Sequence, residues 1–131
     1  MSKSILVIED HEDNRRILHD LLTNAGYQVI EAITGEGGVT SAETHLPDLI
    51  LMDLRLPDID GYEATRRIKA KSKLANIPVI AVTSYALSGD DAKAFEVGCD
   101  AYIAKPYSPR ALLAKVRELL GEGEESCEKS L

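Results

Sequence analysis

The segment Ile5-Leu6-Val7-Ile8-Glu9-Asp10 gives the clearest indication of the fold of the chain. Its four apolar residues are consecutive and do not alternate with polar ones, which is typical of a strand buried on both faces of a parallel sheet. Two carboxylates follow at once, where such a strand would end. Four more apolar runs of this kind occupy residues 27–30, 49–52, 78–82 and 101–104. The chain is therefore predicted to contain five short buried strands.

Segments with helical spacing of apolar residues separate these runs. Before Gly26, a first helix would direct Ile17, Leu18, Leu21, Leu22 and Ala25 inward. A second opens at Thr34 and carries Val39, Ala42 and Leu46. A fourth opens near Ser88, carries Ala92, Phe95 and Val97, and stops at Gly98. These patterns predict amphipathic helices between successive strands.

Two further helices carry clear start signals. The third opens at Asp60, with Glu63 three residues later as a capping box. The fifth begins Ser108-Pro109, an N-cap residue followed by proline at the first helical position, and ends at Gly121. Strand and helix thus alternate five times. The fold class predicted is α/β, a five-stranded parallel sheet of order 2-1-3-4-5 with helices on both faces, as in flavodoxin-like folds.

Length and charge set the domain organisation and exclude several functions. The 131 residues suit one domain over residues 1–121, and residues 122–131 form an acidic tail that we expect to be disordered. The formal net charge of −7 argues against binding of nucleic acid or an anionic membrane. There is no apolar run of about 20 residues, and we expect no signal peptide. Cys99 and Cys127 form no C-x-x-C pair, which favours reduced thiols and a cytoplasmic location.

Chemically active residues stand at the ends of four predicted strands. Glu9-Asp10 follow the first, Asp53 the third, Thr83-Ser84 the fourth and Lys105-Pro106 the fifth. Ligands of open parallel sheets bind at this carboxyl edge. Clustered carboxylates need a cation, and Mg²⁺ prefers oxygen ligands shared with a phosphate. Asp53 is then the candidate nucleophile towards phosphorus, with Lys105 and Thr83 available to contact phosphoryl oxygens.

The chain resembles the receiver domains of two-component response regulators over about residues 4 to 120. The resemblance is carried by residues 5–10, 47–53, 56–61, 78–84 and 98–106, five segments in order and at the expected spacing. Residues 84–91 are similar to those of stand-alone, single-domain regulators and of receiver modules in hybrid sensor kinases. The resemblance implies a cytoplasmic phosphorylation-operated switch rather than an enzyme with an external substrate.

The resemblance also implies a role for each matched residue. Asp53 would accept a phosphoryl group from a histidine kinase or a His phosphotransfer protein. Mg²⁺, for which Mn²⁺ is expected to substitute, would be held by Asp10, Asp53 and the backbone carbonyl of Arg55, with Glu9 acting through a metal-bound water. Lys105 would pair with the phosphoryl group, and the Lys105-Pro106 bond would be cis. Thr83 and Tyr102 would act as the switch.

The resemblance further implies how the signal leaves the domain. A downstream protein would bind the face formed by helix four, strand five and helix five. The chain would act as a monomer or as a phosphorylation-dependent dimer, and with no effector domain after Gly121 its output would be a protein contact or onward phosphotransfer.

Three residues near the site depart from the commonest receiver pattern. Ser84 stands where alanine is usual, and Arg55 and Tyr85 are both large. We hypothesise that Arg55 and Tyr85 screen the acyl phosphate from water. The aspartyl-phosphate lifetime in Arg55→Asn and Tyr85→Glu tests this, and an unchanged lifetime in both variants would reject it.

Two alternatives remain beside the switch. A metal-dependent phosphohydrolase with an aspartyl nucleophile would need an acid two residues after Asp53, where Arg55 stands. An unphosphorylated adaptor would keep only the fold and would not bind Mg²⁺.

Other motifs fail on inspection. His11-Glu12 does not complete H-E-x-x-H, residues 58–61 do not complete a calcium loop, and residues 35–40 do not complete G-x-G-x-x-G. His11, His19 and His45 show no ligand spacing, and Cys99 is expected to be a packed side chain.

Overall fold

Five strands and five helices alternate along the chain. The computed structural model describes residues 3–83, 90–105 and 107–121. The strands are β1 (Ser4–Ile8), β2 (Gln28–Ala32), β3 (Leu49–Asp53), β4 (Val79–Thr83) and β5 (Ala101–Ala104). The helices are α1 (Glu12–Asn24), α2 (Gly35–His45), α3 (Gly61–Lys69), α4 (Asp90–Glu96) and α5 (Pro109–Leu120). The five predicted strands are therefore present, with ends displaced by at most two residues, but β2 is partly exposed and β5 is mostly half-buried rather than buried on both faces.

The strands form one parallel sheet of order β2-β1-β3-β4-β5, which confirms the predicted topology. β3 and β4 are buried along their whole length, as their unbroken apolar runs require. Two apolar clusters cover the sheet. One contains the inner residues of α2, α3 and α4, and the other those of α1 and α5. The helices accordingly lie on both faces.

Local signals place several helix ends correctly. Thr34 caps α2 by accepting from the Gly37 amide at 2.9 Å, and Ser108 caps α5 by accepting from Ala111 at 2.9 Å. Asp60 caps α3 by accepting from the Glu63 amide, whereas the Glu63 carboxylate pairs with the arginines of the next turn. The predicted capping box at α3 is therefore formed only on its Asp60 side.

Three helices differ from their predicted inner faces. In α1, Leu18 and Leu22 are buried but Ile17 is exposed. Leu46 ends α2 in a left-handed conformation with φ of 47° and is exposed, because the helix ends at His45. The prediction was also wrong for α4, where Ala92 and Phe95 are exposed.

The inner face of α4 contains a small residue rather than the large one predicted. Ala94 is fully buried, because a small residue allows this short helix to approach the sheet closely. Val97 is half-buried and lies just beyond the helix.

Several predictions fall outside the described residues. They are the Ser88 start of helix four, the Lys105-Pro106 cis bond, Cys127 and the acidic tail. Among the described residues, none of the helices combines the length and the apolarity that a membrane span requires. Cys99 is a buried free thiol, as expected, and burial raises its pKa to about 11.

Candidate functional site

Two buried carboxyl groups meet at the carboxyl edge of the sheet. Ile8 of β1 is in register with Met52 of β3, so the next residues, Glu9 and Asp53, lie side by side. Only 1% of Glu9 and 6% of Asp53 is exposed. The two carboxyl groups are within hydrogen-bonding reach of each other. The structure thus brings together two acids that are 44 residues apart in sequence.

Lys105 reaches this pair from the end of β5. Its backbone amide donates to the Thr83 carbonyl at 2.7 Å, which continues the pairing of β4 and β5 beyond Ala104. Its ammonium nitrogen lies 3.2 Å from Glu9 Oε1. The predicted lysine is therefore inside the acidic site, bonded to Glu9.

The environment of Asp53 makes its charged form costly. Burial raises the pKa of its carboxyl group to about 7, and the neighbouring Glu9 also raises it. The Arg55 amide, which donates to Asp53 Oδ1 at 3.1 Å, and the Lys105 ammonium act in the opposite direction but do not outweigh burial. A cation at this edge would favour the carboxylate form that a nucleophile requires.

The donor set fits a hard divalent cation. Asp10 Oδ1 is buried and has no hydrogen-bond partner among the described residues. An unpartnered buried carboxylate oxygen is costly unless an ion or water binds it. The neighbouring acid Glu9 is buried, pairs with Lys105 and has a ligand atom within 4.8 Å of one on Asp10, whereas Asp53 is not part of this close group among the described residues. These oxygen donors suit Mg²⁺.

The backbone after β3 is held close to the site by α3. A Cβ on Gly61 would lie 2.5 Å from the Asp53 carbonyl oxygen, so only glycine allows this approach. The Gly61 amide donates to the Leu54 carbonyl at 3.1 Å. Arg55 lies in the loop between these contacts. Its backbone carbonyl, the predicted ligand, is thus in a loop fixed at both ends.

Asp58 in the same loop has a role that sequence reasoning missed. Its oxygens accept from the amides of Gly35 and Glu36 at 2.7 and 2.8 Å, so it caps α2 from a distant loop. Burial would raise the pKa of Asp58, but these amide donors lower it. With Asp58 and Asp60 both used as helix caps, the rejection of a calcium loop has a physical basis.

The two predicted switch residues lie on one side of the sheet. Tyr102 packs against the cluster that includes α3 and α4. Ala81 belongs to that cluster as well, and side chains alternate along a strand, so Thr83 two residues later is on the same face. Thr83 is 2% exposed and Tyr102 is half-buried. Ser84 and Tyr85, the other predicted neighbours of the phosphate, lie outside the described residues.

Arg15 and His11 were not predicted as parts of the site. Arg15 donates to the Glu9 and Asp10 carbonyls at 3.1 and 3.3 Å and pairs with Glu31 at 3.3 Å. His11 is exposed, yet ligand atoms of Glu9, Asp10 and His11 all lie within 4.8 Å of one another. The one sequence signal for His11 is that it directly follows the acid pair.

Comparison with known proteins agrees with this geometry. The model of the response regulator receiver domain matches residues 5–117. The polar-differentiation response regulator DivK of Brucella ovis is 40% identical over 122 residues, 93% of this chain and 99% of its own. A CheY-like receiver domain protein from Methanospirillum hungatei superposes with a TM-score of 0.85 at 34% identity, covering 96% of this chain and 99% of its own.

A third relative carries an ion. The receiver domain of a sensor histidine kinase from Pseudomonas aeruginosa, with magnesium coordinated in its active-site cleft, superposes with a TM-score of 0.87 at 37% identity. The match covers 92% of this chain and 99% of that one. The family match spans most of the chain and the strand-end acids and lysine meet as the fold requires, so this chain belongs to the response regulator receiver domain family of two-component signalling.

Proposed function

We propose that this receiver accepts a phosphoryl group on Asp53 from the phosphohistidine of a histidine kinase or of a His phosphotransfer protein. One observation carries the proposal. Asp53 is buried beside Glu9, and Lys105, 96 residues away from Glu9 in sequence, is bonded to that same acid. Charged groups are rarely buried together unless they hold one another or a ligand. A phosphoryl group and its cation are ligands of that kind.

The reaction needs the Asp53 carboxylate as nucleophile. One carboxylate oxygen attacks phosphorus, the phosphorus–nitrogen bond of the phosphohistidine breaks, and the imidazole leaves with the electron pair. A new phosphorus–oxygen bond gives the aspartyl phosphate. The Arg55 amide at Asp53 Oδ1 orients the carboxyl group during the attack.

A divalent cation would be held by Asp10, Asp53 and the Arg55 carbonyl, with Glu9 acting through a bound water. Mg²⁺ would supply neutralisation of the charge on the transferred group, and Mn²⁺ would substitute for it. Two observations support this assignment: the buried Asp10 Oδ1, which accepts no hydrogen bond from the described residues, and magnesium in the Pseudomonas receiver at 37% identity.

Phosphorylation would then rearrange the contacts of Lys105 and Thr83. The Lys105 ammonium turns from Glu9 to a phosphoryl oxygen, and the Thr83 hydroxyl donates to another. Tyr102 lies on the same face of the sheet as Thr83. Its ring would therefore move inward when Thr83 moves towards the phosphoryl group. Both conformations exist before phosphorylation, which shifts their populations.

The output surface would be the face formed by α4, β5 and α5. Phe95 of α4 is a large apolar side chain that is 50% exposed and would be available to such a contact. A downstream protein would read the surface, and the receiver would act as a monomer or a phosphorylation-dependent dimer. The formal net charge of −7 disfavours nucleic acid as a partner.

The test is phosphorylation by a small acyl phosphate in the presence of Mg²⁺, followed by intact mass measurement. We expect the mass of one phosphoryl group to be added, and no addition in Asp53→Asn. Asp48→Asn is the matched control, because Asp48 precedes the same strand and bonds to Ser4 at its other end. Equal phosphorylation of Asp53→Asn, or none of the parent chain, would contradict the proposal. Titration with Mg²⁺ distinguishes the adaptor alternative, which predicts no binding.

A further inference from the structure

The imidazole of His11 lies close to the carboxylates of Glu9 and Asp10, but beyond hydrogen-bond distance from both. His11 Nδ1 is 3.6 Å from Asp10 Oδ1 and 3.7 Å from Glu9 Oε2. Both separations exceed a normal hydrogen bond. Two ligand atoms that are each about 2.1 Å from a shared ion lie about 3.0 Å apart at an octahedral angle and about 3.4 Å apart at a tetrahedral one. A small rotation of the exposed imidazole would shorten the observed separations to these ligand–ligand distances.

The side chain of His11 also lacks the hydrogen bond that is usual at its position in a helix. It is the N-cap of α1, where a side chain usually accepts from an amide of the first turn, but it makes no such bond. Its backbone amide is used instead, donating to Glu9 Oε2 at 3.1 Å. This bond holds the backbone of the loop beside Glu9, while Asp10 Oδ1 keeps no hydrogen-bond partner among the described residues.

We propose that His11 is a nitrogen ligand, alongside Asp10, of the cation at this site, and that it makes the site selective for transition ions over Mg²⁺. The inference rests on the metal site of the proposed function. Mg²⁺ takes oxygen ligands and gains little from an imidazole, whereas Mn²⁺, Co²⁺ and Zn²⁺ accept one readily. This receiver therefore binds Co²⁺ and Zn²⁺ more tightly, relative to Mg²⁺, than an all-oxygen site would.

The experiment compares metal binding by the full chain, His11→Ala and His19→Ala, by calorimetric titration with Mg²⁺ and separately with Co²⁺. His11 is 73% exposed and caps nothing through its side chain, so its removal leaves the fold intact. His19, also on α1, pairs with Glu31 and is the matched control. In His11→Ala we expect the Co²⁺ dissociation constant to rise at least about tenfold. The Mg²⁺ constant should change less than about twofold.

A spectroscopic measurement identifies the ligand directly. Pulsed electron paramagnetic resonance of bound Mn²⁺ should show coupling to a ring nitrogen in the parent chain and in His19→Ala, and none in His11→Ala. An unchanged ratio of Co²⁺ to Mg²⁺ affinity in His11→Ala would overturn the inference. So would equal changes in both affinities, which is the result expected if His11 were only an ion-pair partner of the carboxylates.

The outcomes also separate this inference from the proposed function. If Mg²⁺ binds and Asp53 is phosphorylated while His11→Ala keeps its Co²⁺ affinity, only the inference fails. If Co²⁺ binding depends on His11 but Asp53 takes no phosphoryl group, the proposed function fails and the inference stands.

Discussion

Two lysines with the same burial lie at opposite edges of the sheet and are bonded quite differently. Lys69 and Lys105 are 17% and 16% exposed, and each faces an acid about 3 Å away. Lys69 donates to the carbonyls of Ala75 and Ile77 and to Asp100, which uses all three of its donors. In the part of the chain that the structure describes, Lys105 donates to Glu9 as its one recorded partner.

The difference distinguishes a lysine whose donors are all used within the fold from the lysine proposed to contact a phosphoryl group. Lys69 closes the loop between α3 and β4, and Asp100 in turn accepts from the Val79 amide at 2.9 Å. Nothing remains on that ammonium for a ligand. Lys105 keeps donor capacity, at the edge where buried acids need positive charge. The exposed fractions of the two lysines do not distinguish them. The number of N–H donors that each ammonium already uses does.

The largest expected effect is that of Lys105→Met on phosphotransfer. Loss of an ammonium that neutralises the transferred group should lower the rate of Asp53 phosphorylation about 100- to 1,000-fold. The rate with a small acyl phosphate, at saturating Mg²⁺, measures it. Lys69→Met should keep the parent rate under the same conditions, and a comparable loss in both variants would abolish the distinction.

Lys69→Met should instead lower the free energy of unfolding by about 2 kcal/mol, because it leaves two carbonyls and a carboxylate without their donor. Urea denaturation followed by circular dichroism gives the value. At saturating Mg²⁺, the cation offsets the charge of the acid pair. Lys105→Met should then lose less free energy of unfolding than Lys69→Met. A stability equal to that of the parent chain would show that the bonds of Lys69 do not stabilise the fold.

The carboxyl edge should also reduce stability at high pH. The pKa of Asp53 is raised from 3.8 to about 7 in the folded chain, so the folded state holds the proton more tightly than the unfolded one. The resulting stabilisation is complete below pH 3.8 and is lost as the pH rises through about 7. Asp53→Asn avoids that loss and should gain a few kcal/mol at pH 8 without metal, and a smaller amount at pH 5.

Urea titrations at the two pH values measure this effect. Asp100→Asn, at the opposite edge, is the control and should destabilise the chain because Lys69 and the Val79 amide lose a charged acceptor. A pH-independent difference between Asp53→Asn and the parent chain would show that the carboxyl group is not perturbed by its burial.

The smallest effect is expected for Asp48→Asn. Asp48 accepts from the Ser4 amide at 2.7 Å at an exposed position, so its removal should lower the free energy of unfolding by less than about 1 kcal/mol. The phosphorylation rate should not change. A slower rate would mean that the two ends of β3 are coupled and that the two edges of the sheet do not act separately.

Local signals allowed much of the fold and of the candidate site to be predicted. Thr34, Asp60 and Ser108 cap the helices they were expected to cap, because a cap depends on residues three positions apart. The inward positions of Ile17 and Phe95 were wrong, since helical spacing does not say which of two adjacent apolar residues meets the sheet. Asp58 could not be assigned as the cap of α2, because its partners are 22 and 23 residues away.

The sequence by itself determined the five strands, the burial of β1, β3 and β4, the parallel order and the acids and lysine at the strand ends. Those features depend on short-range patterns and on the requirement that apolar strands be covered on both faces. Only the tertiary structure decided that Glu9 holds Lys105, that Lys69 is saturated and that His11 faces the acid pair. Bond partners of long side chains are chosen by packing and desolvation across distant segments, which no local pattern records.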